Sequence, residues 1–198
     1  MSAELFKHDP ILYQAIKHLH FERPKPVDDY FQYLMQAIAF QQLSGKAGAT
    51  IHGRFLALFP EQNPTPELVL AMEQERLRSV GLSNQKASYM QNIAEFWIGN
   101  ELSNASLNKL SDEQVMELLI QIKGVGKWTV EIFLMFGMAR PDHFPLDDLG
   151  LQQGIAKLYQ LEHLSLKDLK KEMALISAAW SPHRSLAARY LWAWKDGA

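Results

Sequence analysis

The sequence predicts an all-α protein, and three observations support this prediction. Residues that cap helices recur just before apolar stretches with the i, i+3, i+4 spacing of an amphipathic helix. The alternation of apolar and polar residues that is typical of strands is absent. The 198 residues are 47% hydrophobic, which excludes intrinsic disorder and suffices for one domain or for two small lobes that share a core.

Helix-starting and helix-ending residues define the predicted elements along the chain. Asp9-Pro10 is a favourable N-cap followed by a proline in the first turn. Four further helices are expected to begin after the capping residues Thr65, Ser83, Ser111 and Ser165. The predicted helices cover residues 10–20, 28–40, 45–58, a short segment from 66, 73–80, 83–99, 115–122, 128–137, 147–161, 167–179 and 182–194, with a linker at 21–27 and a loop at 141–146.

Composition excludes several classes of protein. The chain has no cysteine, so a disulfide scaffold, a thiolate zinc site, an iron–sulfur cluster and a cysteine nucleophile are ruled out. No apolar run approaches the roughly 20 residues that span a membrane. The first ten residues, MSAELFKHDP, lack the basic and then apolar pattern of a secretion signal. We therefore expect a cytoplasmic protein that does not bind a membrane.

The formal charge of −2 argues, as a sum, against a nucleic-acid ligand. Its distribution indicates the opposite, because residues 41–55, 76–94 and 118–130 contain no Asp or Glu and together carry seven Lys and Arg. If these three segments meet in the folded protein, they form a cationic strip, and phosphate binding responds to such a local field. Partly buried segments with a few solvated lysines are the alternative.

The most specific motif is Gly124-Val125-Gly126, which lies between two apolar helices. Glycine permits a positive φ and close approach of other atoms to the backbone. The amides that begin the second helix then point outward, where they and the flanking Lys123 and Lys127 suit a phosphate. Val125 is expected to pack the turn against its own helices.

Residues 118–150 resemble the helix-hairpin-helix and Asp motif of the DNA glycosylase superfamily, in which a Gly-x-Gly hairpin precedes an essential Asp by about 20 residues. Within the superfamily the chain resembles the alkylpurine (3-methyladenine II) DNA glycosylases. The segments that carry the resemblance are FQQLSGKA at 40–47, LRSVGLSNQKASY at 77–89, KGVGKWTVEIFLMFG at 123–137, FPLDDLGL at 144–151 and WSPHRSLAARYLW at 180–192.

This resemblance implies a two-lobed all-α fold with the active site in the cleft between the lobes. The expected lobes are a central bundle at 31–141, which carries the hairpin, and a second lobe formed by 1–30 and 142–198. The chain resembles the compact form of the family, which lacks an N-terminal β domain. The implied activity is hydrolytic excision of alkylated purines, such as 3-methyladenine and 7-methylguanine, from duplex DNA by base flipping.

The resemblance assigns the catalytic role to Asp148, and Asp147 is then expected to cap the following helix. A carboxylate beneath C1′ of the sugar stabilises the positive charge that develops there and can orient or deprotonate water. Helix capping by one or both acids is the structural alternative.

The family presents aromatic side chains to the extruded base at the positions of Trp128 and Trp192, and Ile132 and Leu149 occupy two further pocket positions. An indole stacks well on a cationic alkylated purine, although core packing is the usual role of Trp in a helical domain. Superfamily members that also cleave the backbone have a Schiff-base Lys at the position of Trp128. An indole cannot form an imine, so the resemblance implies a monofunctional enzyme that leaves an abasic site.

The break between two helices at FQQLSG is the predicted wedge that fills the place of the extruded base. Gln42 is the first candidate and Leu43 the second, Gln41 is expected to brace the turn, and Ser44 is expected to face the minor groove. The predicted contacts with the DNA backbone are Lys46, Gly124, Val125, Gly126, Lys127 and Thr129. A polar loop between helices is the alternative.

No organic cofactor is expected. His143, Asp142, Asp147 and Asp148 match no metal-binding spacing, whereas the superfamily makes a monovalent cation at the hairpin carbonyl groups plausible. Arg184 is expected to tie helices together. The expected partner is duplex DNA with alkylated bases, and the protein is expected to be a monomer, associated with the nucleoid if it is bacterial. A glycosylase for another base lesion and a non-enzymatic helix-hairpin-helix module remain as alternatives.

Overall fold

The computed structural model describes residues 2–22 and 24–197 of the chain. Across these residues it contains helices and no strand, so the predicted all-α class is confirmed. The α-helices are α1 Pro10–Ile16, α2 Tyr30–Phe40, α3 Gly45–Leu56, α4 Pro66–Ala71, α5 Gln74–Arg78, α6 Asn84–Gly99, α7 Asn104–Leu107, α8 Asp112–Leu119, α9 Lys127–Ile132, α10 Leu149–Leu158, α11 Leu166–Ala178 and α12 Arg184–Lys195.

Local capping explains most helix starts. The side chains of Asp9, Thr65, Ser83 and Ser165 each accept a hydrogen bond from a backbone N–H in the first turn of the helix that follows. Ser111 and Gln114 form a reciprocal capping box at the start of α8. These caps were predicted, because they depend on residues only three positions apart.

Several elements differ from the predicted ones. A 3-10 helix, Ala3–Phe6, was not predicted, and α1 ends at Ile16, four residues before its predicted end. The short helix α7 follows a Ser103–Ser106 capping box that the sequence reading did not recognise. The segment predicted as one helix to Gly137 is α-helical to Ile132 and continues as a π-helical turn, Phe133–Gly137. After this turn, the N–H of Arg140 donates to the carbonyl of Leu134, at 2.8 Å.

Backbone contacts divide the chain into two compact units. Unit 1 comprises Met1–Pro26 and Leu134–Ala198, and unit 2 comprises Val27–Phe133. The lobe predicted at 31–141 begins four residues after the start of unit 2 and ends eight residues after its end.

Each unit has its own apolar interior. Unit 1 packs the N-terminal segment against α10, α11 and α12, with Phe6, Trp180 and Tyr190 fully buried. Unit 2 packs α2 against α3 and α6, with Phe31 and Ile38 of α2 inaccessible to solvent. Met135 and Met138 are buried as predicted.

Candidate active site and nucleic-acid interface

In unit 1, Asp148 is the N-cap of α10 and is 9% exposed. Its Oδ1 accepts a hydrogen bond from the backbone N–H of Leu151 at 2.9 Å. The same oxygen accepts a second bond from the indole N–H of Trp192 at 2.8 Å. Two donors therefore fix the orientation of one carboxylate at the point where a loop becomes a helix.

The prediction that Asp147 caps this helix was wrong. The helix begins at Leu149, so the residue whose side chain can reach the third helical amide is Asp148. Asp147 lies one residue outside the cap and forms an ion pair with Lys170 of α11, with Nζ and Oδ1 2.6 Å apart.

The loop that leads to Asp148 is joined to the start of α12. The carboxylate of Asp142 accepts hydrogen bonds from Nε and Nη2 of Arg184, at 2.8 and 3.0 Å, and from the hydroxyl of Ser181 at 2.8 Å. Partial burial alone would raise the pKa of Asp142, but the hydrogen bonds from Arg184 and Ser181 and the charge of Arg184 outweigh burial and lower it. Arg184 was predicted to tie helices together, and in the structure it joins the start of α12 to this loop.

Two further side chains hold the same loop. The hydroxyl of Ser185 accepts from the N–H of His143 at 2.9 Å and lies 2.7 Å from the carbonyl of Arg140. The buried amide of Gln152 donates to the carbonyl of Leu146 at 2.9 Å. The segment from 140 to 148 is thus held by side chains of both α10 and α12.

The indole of Trp192 is stacked on Phe136, with ring centroids 6.0 Å apart. A Cβ at Gly150 would lie 3.1 Å both from Oδ1 of Asp148 and from Nε1 of Trp192. Glycine at position 150 therefore leaves room for the bond between the carboxylate and the indole. Leu149, a predicted pocket residue, is the first residue of α10 and is 65% exposed.

In unit 2, the Gly124-Val125-Gly126 hairpin connects α8 to α9. Gly124 has a φ of +108°, and a Cβ there would overlap the ring of Tyr89 from α6. Val125 is 4% exposed, which confirms that it packs the turn against its surroundings. Gly126 is the N-cap of α9 and supplies no side-chain cap.

The predicted wedge turn is tied to this hairpin. The side-chain amide of Gln41 donates to the carbonyl of Gly124 at 3.3 Å, so the prediction that Gln41 braces the turn is confirmed. Gln42 is exposed and has a φ of +57°, and the side chain of Leu43 is 39% exposed. Ser44 caps α3, its hydroxyl accepting from the N–H of Ala47.

The acid-free segments meet within unit 2. Besides the bond between Gln41 and Gly124, the side chain of Asn92 in α6 donates to the carbonyl of Lys123 at 3.0 Å. Six of the seven cationic side chains in these segments are exposed: Lys46, Arg54, Arg76, Arg78, Lys123 and Lys127.

Two further residues of these segments have structural contacts. Nζ of Lys86 donates to the carbonyl of Ala39 near the end of α2, at 2.9 Å. Burial lowers the pKa of Lys86. Nζ of Lys127 lies 3.8 Å from the buried carboxylate of Glu131.

A cavity of about 410 Å³ lies between α2 and α9 and is bordered by the wedge turn. Trp128, which is 50% exposed, and Ile132 line it from α9, and Gln42 and Leu43 line it from the turn. The structure thus brings together two predicted pocket residues and both wedge candidates. Thr129 also lines the cavity and is 6% exposed.

Sequence reasoning missed two polar members of the same cavity, Tyr33 and Gln36 on α2. They precede Phe40, another lining residue, by seven and four positions, and this spacing places all three on one face of the helix. The signal was present in the sequence, but an apolar helix is usually interpreted as core.

The described residues were also compared with what a metal site requires. Within 2–22 and 24–197 there is no group of three or more His, Asp or Glu arranged to hold an ion. The hairpin carbonyl groups of Ile122, Lys123 and Gly124 each accept a hydrogen bond. A cation at the hairpin stays a prediction. No helix in the described part of the chain is long and apolar enough to cross a membrane.

The class of the protein follows from comparison with a family model. The model for the HhH-GPD superfamily of base excision DNA repair proteins matches residues 35–182. This range contains the wedge turn, the hairpin and Asp148. The chain belongs to the HhH-GPD superfamily of base excision DNA repair proteins.

The relatives narrow the comparison to one branch of the superfamily. YfjP of Bacillus subtilis, assigned by name to the DNA-3-methyladenine glycosylases, is 37% identical over 185 residues, which are 90% of this chain and 63% of that protein. The DNA-3-methyladenine glycosylase 1 of Schizosaccharomyces pombe is 37% identical over 164 residues, which are 82% of this chain and 71% of that protein. The chain therefore spans less than two thirds of the Bacillus relative.

Solved structures agree with this comparison. The DNA-3-methyladenine glycosidase of Bacillus halodurans superposes with a TM-score of 0.85 and 32% identity, covering 98% of this chain and 88% of that one. The glycosylase Mag1 of Schizosaccharomyces pombe, in complex with abasic DNA, has a TM-score of 0.77 and 32% identity, over 96% of this chain and 90% of that one. The resemblance to the alkylpurine DNA glycosylases is confirmed.

Proposed function

We propose that this chain hydrolyses the N-glycosidic bond of alkylated purines, such as 3-methyladenine and 7-methylguanine, in duplex DNA and leaves an abasic site. The observation that carries the proposal is the carboxylate of Asp148, oriented by the N–H groups of Leu151 and Trp192. The names of the relatives support the same reaction.

Asp148 stabilises the transition state electrostatically. As the bond between C1′ and the purine nitrogen lengthens, its electron pair leaves with the base and positive charge develops on the sugar. The carboxylate stabilises this charge and accepts a proton from the water whose oxygen bonds to C1′. An alkylated purine that carries a positive charge departs as a neutral molecule, so it requires no proton from an acid.

The half-exposed indole of Trp128 suits a cationic base. Its π face attracts a positive charge, and stacking on an aromatic side chain contributes on the order of 1–3 kcal/mol per base. Position 128 carries no amine, so imine formation with C1′ and cleavage of the DNA backbone are not expected there. The reaction then ends with the abasic site.

Unit 2 supplies the contacts with the duplex. The hairpin amides and the six exposed cationic side chains suit phosphate groups, while Gln42, with Leu43 as the alternative, enters the base stack. The complex of the related Mag1 with abasic DNA supports duplex DNA as the partner. A monomer suffices for these contacts, and such a substrate is met in the cytoplasm, at the nucleoid in a bacterial cell.

The test is incubation of methylated duplex DNA with the wild type and with Asp148→Asn, followed by mass spectrometry of the released bases. We expect 3-methyladenine and 7-methylguanine from the wild type and a rate lower by about 10³-fold for the variant. Asn is as good an N-cap as Asp, so α10 is expected to remain formed.

Asp147→Asn is the matched control, because it removes a neighbouring carboxylate that is paired with Lys170. It should release bases at close to the wild-type rate. Equal release by Asp148→Asn and the wild type, or no alkylated base from either, would refute the proposal. Trapping of the protein on DNA by borohydride would refute the monofunctional reaction.

A further inference from the structure

The cavity of unit 2 that Trp128 lines also has two polar side chains from α2. These are Tyr33 and Gln36, which lie about one turn apart among apolar lining residues. Within residues 2–22 and 24–197, neither the hydroxyl of Tyr33 nor the amide of Gln36 makes a hydrogen bond with the protein. Polar groups that line a cavity without an internal partner are available to a ligand.

Packing fixes the position of the Tyr33 ring. It lies against Phe133, with centroids 5.8 Å apart, and is half-buried. Burial raises the pKa of Tyr33 to about 12, so the phenol keeps its proton at neutral pH and is a donor. The amide of Gln36 offers both a donor and an acceptor.

The cavity can therefore contact a purine in two ways. Trp128 and Phe40 supply aromatic faces, and Tyr33 with Gln36 supplies hydrogen-bonding groups on one helix. Its volume of about 410 Å³ is within the usual range for small-molecule sites. The polar edge of a purine carries both donors and acceptors, which the amide can match.

We propose that Tyr33 and Gln36 determine lesion specificity by hydrogen bonding to the polar edge of the extruded purine. This inference rests on the proposed function, whose reaction is unchanged. The two residues act most strongly on purines that are neutral before cleavage. A neutral purine leaves with the electron pair of the broken bond as negative charge, and a donor such as the Tyr33 hydroxyl stabilises that charge until solvent protonates the base.

The release of a cationic lesion depends less on hydrogen bonds from Tyr33 and Gln36. An alkylated purine with a positive charge becomes neutral as the bond to C1′ breaks, so little negative charge develops on it. Stacking by Trp128 and stabilisation of the sugar by Asp148 then suffice. Tyr33 and Gln36 thus separate two substrate classes by the charge of the leaving base.

The experiment uses two duplexes, one with a single 7-methylguanine and one with a single hypoxanthine, which is a neutral purine. Single-turnover release is measured for the wild type, Tyr33→Phe and Gln36→Leu. We expect hypoxanthine release to fall about tenfold in each variant, the loss of roughly one hydrogen bond, and 7-methylguanine release to change by less than about twofold.

Two matched controls remove the same groups elsewhere. Tyr13→Phe removes a hydroxyl that bonds to Glu4 in unit 1, and Gln153→Leu removes an exposed amide of α10. Both should release the two bases at wild-type rates.

A second measurement separates base recognition from DNA binding. Affinity for a duplex with a stable abasic analogue should be unchanged in Tyr33→Phe and Gln36→Leu, because that ligand has no base to contact. Weaker binding to it, an equal loss on both lesions, or no loss on either would overturn the inference. So would a wild type that releases 7-methylguanine and no hypoxanthine, whereas a wild type without 7-methylguanine release would refute the proposed function.

Discussion

The loop that ends at Asp148 and the turn that contains Gln42 are stabilised in opposite ways. The loop from 140 to 148 is held by the side chains of Arg184, Ser185 and Gln152, which bond to its backbone or to Asp142. The turn at 41–44 is held by the bond from Gln41 to the hairpin, while Gln42 and Leu43 are exposed at the edge of the cavity.

This difference matches what each region has to do. A carboxylate that stabilises a transition state works best when its orientation is set before the substrate arrives. A segment that enters a base stack needs a fixed backbone and exposed side chains. In the loop of unit 1, hydrogen bonds therefore surround the functional carboxylate. In the turn of unit 2, they hold the backbone and leave the functional side chains exposed.

Among the substitutions that test this difference between the two regions, Gly124→Ala in the hairpin is expected to have the largest effect on stability. The positive φ and the Tyr89 ring leave no room for a methyl group, so the free energy of unfolding should fall by about 2–4 kcal/mol. Denaturant unfolding measures this, and affinity for an abasic duplex should fall as well.

Gly126→Ala is the matched control for the hairpin. Its φ is −88°, and a Cβ there would meet no atom within 4 Å. We expect stability within about 0.5 kcal/mol of the wild type. A Gly124→Ala protein of wild-type stability would show that the close packing of Tyr89 on the hairpin is dispensable.

A smaller effect is expected from Asp142→Asn in the loop of unit 1. Losing the paired charge should lower the free energy of unfolding by about 1–2 kcal/mol at pH 7, because the pair is half-exposed. The pKa of Asp142 is depressed below its ordinary value of 3.8 in the folded protein. Its contribution is therefore complete above that pH and is lost as the pH falls through the folded-state pKa.

The stability difference between the wild type and Asp142→Asn should accordingly shrink below about pH 4. Thermal unfolding across pH 3 to 7 measures it. A difference that is constant over this range would mean that the interaction does not depend on the ionised carboxylate.

The smallest effect is expected from Lys86→Met. The side chain keeps its apolar stem but loses the ammonium group that bonds to the carbonyl of Ala39, at a cost of about 1 kcal/mol. Binding to an abasic duplex should weaken by a few fold, because the end of α2 leads into the wedge turn. Lys17→Met on the surface of unit 1 is the control variant. If both variants bind the abasic duplex equally weakly, the loss of one positive charge, and not the loss of the bond to Ala39, would explain the weaker binding.

The sequence predicted what depends on near neighbours. The helix starts at Asp9, Ser83 and Ser165 were correct, because a cap and its amide partner lie within three residues. The assignment of the cap to Asp147 failed for a local reason as well, since two adjacent acids offer the same signal and a shift of one residue decides between them.

What the sequence could not indicate depends on distant segments. The bond from Trp192 to Asp148 joins residues 44 positions apart, and the cavity beside Trp128 draws Tyr33 and Gln36 from a helix nearly 100 residues earlier. Such contacts arise from packing, which periodicity and spacing do not encode. The family resemblance indicated the indole at 192 but not its hydrogen bond.

The hydrogen bond from Gln41 to the carbonyl of Gly124 has a mechanical consequence. It links the wedge turn, which would enter the base stack, to the hairpin, which would bind the phosphates, although the two bonded residues are 83 positions apart in sequence. The interval between the two contacts is thereby set by the protein. On a duplex, these two contacts would lie at a constant distance from each other. The side chain that enters the base stack would therefore test the nucleotide at one fixed position relative to the bound phosphate.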